Sequence, residues 1–171
     1  MLEFIKVNNN KFRVLTLLGK GKGGYSYLVE NEKGDKFVLK QIHHEPCDYY
    51  TFGNKIESEL RDYETLSKIG IKMPKMIDFD IEKERILKEF IDGDTIAQMV
   101  ERGESVGDFI PQVLSMCNLL YPIGLNIDYY PTNFVVQNGI LFYIDYECNS
   151  YSDKWNFENW GAQYWSKNGE T

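Results

Sequence analysis

Asn126 to Glu147 reads NIDYYPTNFVVQNGILFYIDYE. Two apolar runs, Phe134 to Val136 and Leu141 to Ile144, flank the turn signal Gln137-Asn138-Gly139, so the stretch predicts a short hairpin. Asp128 and Asn133 stand before its first strand and Asp145 directly after its second, and closing the hairpin would carry all three to one rim. Phosphoryl transfer needs such a set: a carboxylate that orients and deprotonates the attacking hydroxyl, and oxygen ligands for Mg²⁺. Any one of them alone reads as an ordinary turn-capping residue.

Upstream, Gly19-Lys-Gly21-Lys-Gly23-Gly24 contains G-x-G-x-x-G at Gly19, Gly21 and Gly24. A dinucleotide fold needs a helix straight after these glycines, whereas Tyr25 to Glu30 reads as a strand, and the G-K-[S/T] of a P-loop is missing. The remaining phosphate-binding option is a glycine-rich hairpin over a triphosphate, its backbone N–H groups free to approach phosphate oxygens. In the next strand, Val38-Leu39-Lys40 places a lysine in an apolar setting, where it either reaches solvent or holds a partner. The following helix offers Glu57, Glu59 and Glu64. Glu59 is best placed, on the inner edge of the apolar stripe, with Glu57 as the alternative.

Around these motifs, Lys11 to Leu18, Tyr25 to Glu30 and Lys36 to Ile42 read as an antiparallel meander, with a turn at Asn31 to Asp35. Ile56, Leu60, Tyr63 and Leu66 recur at helical spacing, with Gly70 and Pro74 beyond the helix end. Lys75 to Phe79 and Arg85 to Ile91 read as strands, and Asp92-Gly93-Asp94 as a hinge. Asp94 or Thr95 can cap a helix from Ile96 to Glu101. Asp108 can cap a longer one whose stripe is Ile110, Val113, Leu114, Cys117, Leu120 and Tyr121.

Composition bounds the function classes. At 171 residues, 43% apolar and 26% charged, the chain can bury a core, as one domain or two small lobes. A net charge of −7 argues against nucleic acid or anionic lipid as the main partner. Three cysteines, Cys47, Cys117 and Cys148, form neither a disulfide framework nor a C-x-x-C motif. With neither a leader-like start nor a span of about 18 apolar residues, the expectation is a soluble cytoplasmic protein without membrane association. Aromatic residues make up 15% of the chain, and residues 151–165 hold Tyr151, Trp155, Phe157, Trp160, Tyr164 and Trp165, all three tryptophans among them. These rings are expected to fold back over exposed apolar surface; the alternative is that some line an acceptor pocket or dock a partner.

Over residues 12 to 147 the sequence resembles a much reduced protein-kinase-like fold, close in form to small bacterial and archaeal Ser/Thr kinases of the RIO and KEOPS-associated type. The specific parts are D-x-x-x-x-N at Asp128 and Asn133 and the aspartate at Asp145. The resemblance implies an α+β, bilobal architecture: an N-lobe at residues 1–91 with an antiparallel sheet and one helix, and a truncated, mainly helical C-lobe at 92–171. It implies an ATP- and Mg²⁺-dependent phosphotransferase acting on a hydroxyl of a protein or small-molecule acceptor. By position, Gly19, Gly21 and Gly24 would cover the phosphates, Lys40 would hold the α- and β-phosphates, and Glu59 would pair with Lys40. Asp128 would be the catalytic base, Asn133 and Asp145 the metal ligands, and backbone groups of Glu89 and Ile91 the adenine contacts.

The departures from the family pattern define the alternatives. Asn126-Ile127-Asp128 stands for H-R-D, so no arginine is present to grip a phosphorylated activation loop. Tyr130 stands where many members have lysine, Lys88 where an apolar residue is common, and Asp145-Tyr146-Glu147 for D-F-G. The last is similar to the form in aminoglycoside and choline kinases, which keeps a small-molecule kinase in view. Tyr130 keeps in view a non-catalytic nucleotide-binding module. Residues 148–171 contain no A-P-E and no peptide-binding helices of the usual kind.

Overall fold

The computed structural model describes residues 3–21, 23–44 and 54–167; Lys22 and Cys47 lie outside them. Alternating apolar residues set the first half as strands. These are β1 (Phe4–Val7), β2 (Asn10–Lys20), β3 (Gly24–Glu30) and β4 (Lys36–Ile42), followed by α1 (Lys55–Lys68), β5 (Met76–Asp80) and β6 (Arg85–Glu89). The strands form one antiparallel six-stranded sheet in the order β1-β2-β3-β4-β6-β5. Val7, Phe12, Val29, Leu39 and Leu87 are buried on one face, with Ile5, Val14, Tyr27 and Phe37 packed around them. Each such aliphatic side chain is worth about 1.5–3 kcal/mol of transfer free energy.

The sheet curls. β1 lies against β5 and β6, and Asn8 in the β1–β2 turn ties the two edges together. Its φ is 53°, a left-handed conformation that asparagine tolerates. Its Nδ2 donates to the Phe79 carbonyl at 2.9 Å and its backbone N–H to Asp80 Oδ2 at 3.2 Å. β1 was not expected from the sequence: in Phe4-Ile5-Lys6-Val7 only Val7 is fully buried, so the alternation is weak.

The remaining elements are β7 (Asp94–Thr95), α2 (Ile96–Glu101), α3 (Ile110–Leu120), β8 (Leu125–Asn126), β9 (Phe134–Gln137), β10 (Ile140–Tyr143) and β11 (Asn149–Ser150). The chain is therefore α+β. β10-β9-β7 make a three-stranded sheet and β8 pairs with β11. Thr95 caps α2 in a reciprocal box with Gln98, its Oγ1 accepting from the Gln98 N–H at 3.0 Å. The β9–β10 turn takes positive φ at Asn138 (52°) and Gly139 (78°), the conformation a two-residue hairpin requires.

Two expectations for α3 need correction. Asp108 does not cap it: Asp108 lies inside a 3₁₀ turn, Gly107–Phe109, and the cap position falls to Phe109, which makes no side-chain cap bond. The buried stripe is Val113, Met116, Cys117 and Leu120, while Leu114 is 37% exposed. Met116 and Leu120 lie one turn apart, so the helix is rotated toward Met116 relative to the expected stripe.

By compactness the chain divides into residues up to Glu59 plus Pro74–Phe90, and Leu60–Met73 plus Ile91 onward. Residues 60–73 group with the second unit because they are bonded and packed there. The Tyr63 and Tyr146 rings lie 4.5 Å apart, Asp62 Oδ2 accepts from the Cys148 N–H at 3.2 Å, and the Tyr143 N–H donates to the Lys72 carbonyl at 2.9 Å. Gly93, expected in a hinge, is held against β9: a Cβ there would lie 1.8 Å from the Val136 carbonyl oxygen. Among the described residues no helix is long and apolar enough to cross a membrane.

Candidate functional site

In the first unit the glycine-rich segment is the β2–β3 hairpin. Gly19 pairs with Ser26 and Lys20 with Tyr25, and the Gly21 N–H closes the turn on the Gly24 carbonyl at 2.9 Å. A register shift between Leu17 and Gly19 adds local twist just before the turn. The glycines differ in what requires them. A Cβ at Gly24 would lie 2.6 Å from the Gln41 carbonyl oxygen, so β4 itself demands glycine there. Among the described residues a Cβ at Gly19 or Gly21 would meet nothing within 4 Å, and neither has positive φ. Packing among the described residues does not account for those two glycines.

Lys40 stands on β4 opposite Ser26 on one side and Ile86 on the other. It shares a face with Val38, and its Nζ donates to Glu59 Oε1. The two side chains are 12% and 13% exposed, so the charges are largely withdrawn from water and each needs the other. Of the three glutamates α1 offered, Glu59 is the one that reaches Lys40. Glu59 Oε2 is buried without a hydrogen-bond partner, an acceptor left beside the pair. Lys88 on β6 faces the same way, its neighbour on β4 being Val38, and is 5% exposed. Glu89 pairs with Phe37, and its N–H is taken by the Lys75 carbonyl at 2.8 Å.

In the second unit the β9–β10 register sets Phe134 opposite Tyr143, and the Ile144 N–H donates to the Asn133 carbonyl at 2.9 Å. Asn133 and Asp145 are thereby brought to one end of the hairpin. Asn133 also reaches back, its Nδ2 donating to the Asp128 carbonyl at 3.3 Å, while Asp128 Oδ1 accepts from the Tyr130 N–H at 3.1 Å. Asp128 and Asn133 are thus bonded to each other, and Asp145 follows directly on Ile144, which is bonded to Asn133. Ile91, proposed for adenine, is buried at the start of this unit.

Tyr143 ties this assembly together, and sequence reasoning missed it. It is fully buried; its hydroxyl accepts from the Asp128 N–H at 3.3 Å and donates to the Glu147 carbonyl at 2.9 Å. Burial, then the nearby charges of Asp145 and Glu147, hold its phenol well above the ordinary value, so it stays protonated and keeps donating. Its only sequence signal was a place in an apolar strand. Asn126 has a similar office. It is 3% exposed and its Nδ2 donates to the Ser152 carbonyl at 3.1 Å, joining the loop before Asp128 to the end of the chain.

The aromatic tail divides in two. Trp165 is 1% exposed, donates from Nε1 to the Tyr129 carbonyl at 2.8 Å, and packs on Phe134 and Phe157. That half covers the core behind Asp128. Trp160 and Tyr164 instead meet Tyr130 at the surface, with the Tyr130 and Tyr164 rings 5.2 Å apart and 8° from parallel, and Trp155 extends the group through Trp160.

As a metal site, Asp145 and Asn133 offer two oxygen-bearing side chains at one strand end, with Asn133 Oδ1 left as the ligating atom once Nδ2 is engaged. Two protein ligands suit Mg²⁺, which keeps water and phosphate oxygens in its octahedron, better than they suit a metal held by protein alone. Among the described residues no group of three or more His, Cys, Asp or Glu side chains is placed to hold a metal ion. No protein-family model matches the chain, and no curated protein matches it either.

Proposed function

We propose that the protein is an ATP- and Mg²⁺-dependent phosphotransferase of reduced protein-kinase-like form, moving the γ-phosphoryl group of ATP to a hydroxyl. The observation that carries this reading is the covered Lys40–Glu59 pair beside a hairpin whose Gly19 and Gly21 are not required by packing among the described residues. In this reading the first unit is the nucleotide-binding lobe and the second the catalytic lobe.

Glu59 holds the Lys40 ammonium in place, and Lys40 neutralises charge on the α- and β-phosphates. Backbone N–H groups near Gly19 and Gly21 approach the phosphate oxygens. Adenine is held by backbone groups of Glu89 and Ile91, the Glu89 carbonyl in particular, because its N–H is already committed to Lys75. Asp145 and Asn133 hold Mg²⁺, which supplies charge neutralisation at the phosphates. Asp128 orients the acceptor hydroxyl and takes its proton as the new P–O bond forms and the bond to ADP breaks. Tyr143 and the Tyr130 N–H position Asp128 from its two sides.

ATP affinity measured by calorimetry with and without Mg²⁺ tests the reading. Wild-type protein is expected to bind more tightly with metal, and Asp145→Asn to abolish the difference. Asp128→Ala should leave binding nearly intact and end turnover, because a base acts in the transition state. Equal affinity with and without Mg²⁺ would remove the metal assignment, and normal turnover in Asp128→Ala would remove the catalytic one.

A further inference from the structure

Tyr130, Trp160, Tyr164 and Trp155 form a continuous row of rings at the surface of the second unit. Tyr130 stacks on Tyr164, Trp160 meets Tyr164 edge-on at 5.5 Å, and Trp155 meets Trp160 at 5.5 Å. Tyr130, Trp155 and Tyr164 remain 42%, 49% and 38% exposed. The core-covering task belongs to Trp165 and Phe157, so it does not explain this row. The row begins two residues from Asp128, whose carboxylate accepts from the Tyr130 N–H.

Charge indicates what such a row would meet. Residues 91–171 contain 11 Asp and Glu against 3 Lys and Arg, whereas residues 1–90 contain 15 against 16. The chain's acidity therefore belongs to the part that carries the rings, and a cationic partner is drawn to it. Aromatic faces add a direct attraction for ammonium and guanidinium groups. The row already holds one such group, with Lys154 Nζ 5.0 Å from the centre of the Trp155 ring. Rings that meet in succession present several faces, which suits side chains carried along one extended segment. The cavity of about 270 Å³ in the same unit is lined by Val100, Val106, Ile110 and Trp165, and by none of the four rings.

We infer that this row docks a basic peptide segment, its arginine or lysine side chains lying over the rings and its hydroxyl-bearing residue at Asp128. This rests on the phosphotransferase reading only in naming the peptide the acceptor; the docking can be measured without nucleotide. All three tryptophans lie in the tail and two of them in the row, so tryptophan fluorescence reports on it. The full chain is titrated at low salt with a short serine-containing peptide rich in arginine, with its glutamate-rich counterpart, and with spermidine. Saturable quenching by the basic peptide alone is expected, weakened about fivefold in Trp155→Ala and in Tyr164→Ala, each an exposed site where truncation spares the core. Equal response to both peptides, unchanged affinity in both variants, or spermidine binding as tightly as the basic peptide overturns the inference, the last in favour of a small amine. Specific peptide binding together with Mg²⁺-independent ATP binding would leave the docking surface standing and remove the phosphotransferase reading, so the two failures are separable.

Discussion

At the scale of single residues, the candidate site depends on buried polar groups that hold each other. Truncating Lys40 to Met leaves the Glu59 carboxylate, 13% exposed, without its cation, and is expected to cost about 3 kcal/mol in urea unfolding. The double replacement Lys40→Met with Glu59→Leu should recover most of that loss, since removing both charges removes the desolvation penalty. Additive losses would show that the pair is not coupled. Tyr143→Phe keeps the buried ring but removes the hydrogen bonds of its hydroxyl to the Asp128 N–H and the Glu147 carbonyl, and should lower stability by about 1–3 kcal/mol. In the phosphotransferase reading it should also lower kcat while leaving ATP affinity close to wild type, because there Tyr143 positions Asp128 without touching nucleotide. A wild-type kcat in a folded Tyr143→Phe protein would refute that positioning role. Lys40 and Asp128 were legible in the sequence because each breaks its local pattern, a charge in an apolar strand and an acid before one. Tyr143 conformed to its strand and gave no such signal.

At the scale of elements, the β2–β3 hairpin offers the sharpest contrast. Gly24→Ala would drive a methyl to 2.6 Å from the Gln41 carbonyl and should destabilise the protein by about 1–3 kcal/mol. Gly19→Ala and Gly21→Ala, with open space around the added methyl, should leave the thermal midpoint close to wild type. In the phosphotransferase reading both should raise the KM for ATP. Three similar thermal losses would show that the glycines serve the fold alone. The motif's spacing was visible in the sequence, but the different duties of its members depend on how near β4 lies to each. Helix α2 was readable from a cap at Asp94 or Thr95 because capping is local; the structure gives the cap to Thr95 and adds Gln98 as its reciprocal partner. The start and burial of α3 were misread at Asp108 and Leu114 because its rotation is set by what it packs against. One such contact is Gln112, which brackets the hairpin by donating to the Gly139 carbonyl and accepting from the Leu141 N–H.

At the scale of the whole molecule, pH reports on the second unit's interior. Burial and the neighbouring Asp62 charge push the Cys148 thiol up to about 12, and the Tyr143 phenol is held above its ordinary value. Both groups bind their protons more tightly folded than unfolded. The stabilisation is therefore complete below the unfolded-state values, 9.0 for the thiol and 10.0 for the phenol, and is lost as pH rises through the folded values. The urea midpoint should fall steadily above about pH 9, and less steeply in Cys148→Ala; a midpoint that holds constant to pH 11 would contradict this. From its residues alone the chain determined strand and helix periodicity, the turn at Asn138-Gly139, a helix start at Asp94 or Thr95 and the acid-and-amide spacing of Asp128, Asn133 and Asp145, because these are written in neighbours along the chain. Only the tertiary structure brought Glu59 into contact with Lys40, recruited Tyr143 and Asn126 to hold the loop, and split the aromatic tail into a buried half and an exposed row. Those outcomes depend on which distant surfaces meet, and burial, which sets the strength of every ion pair and hydrogen bond, exists only once they have met.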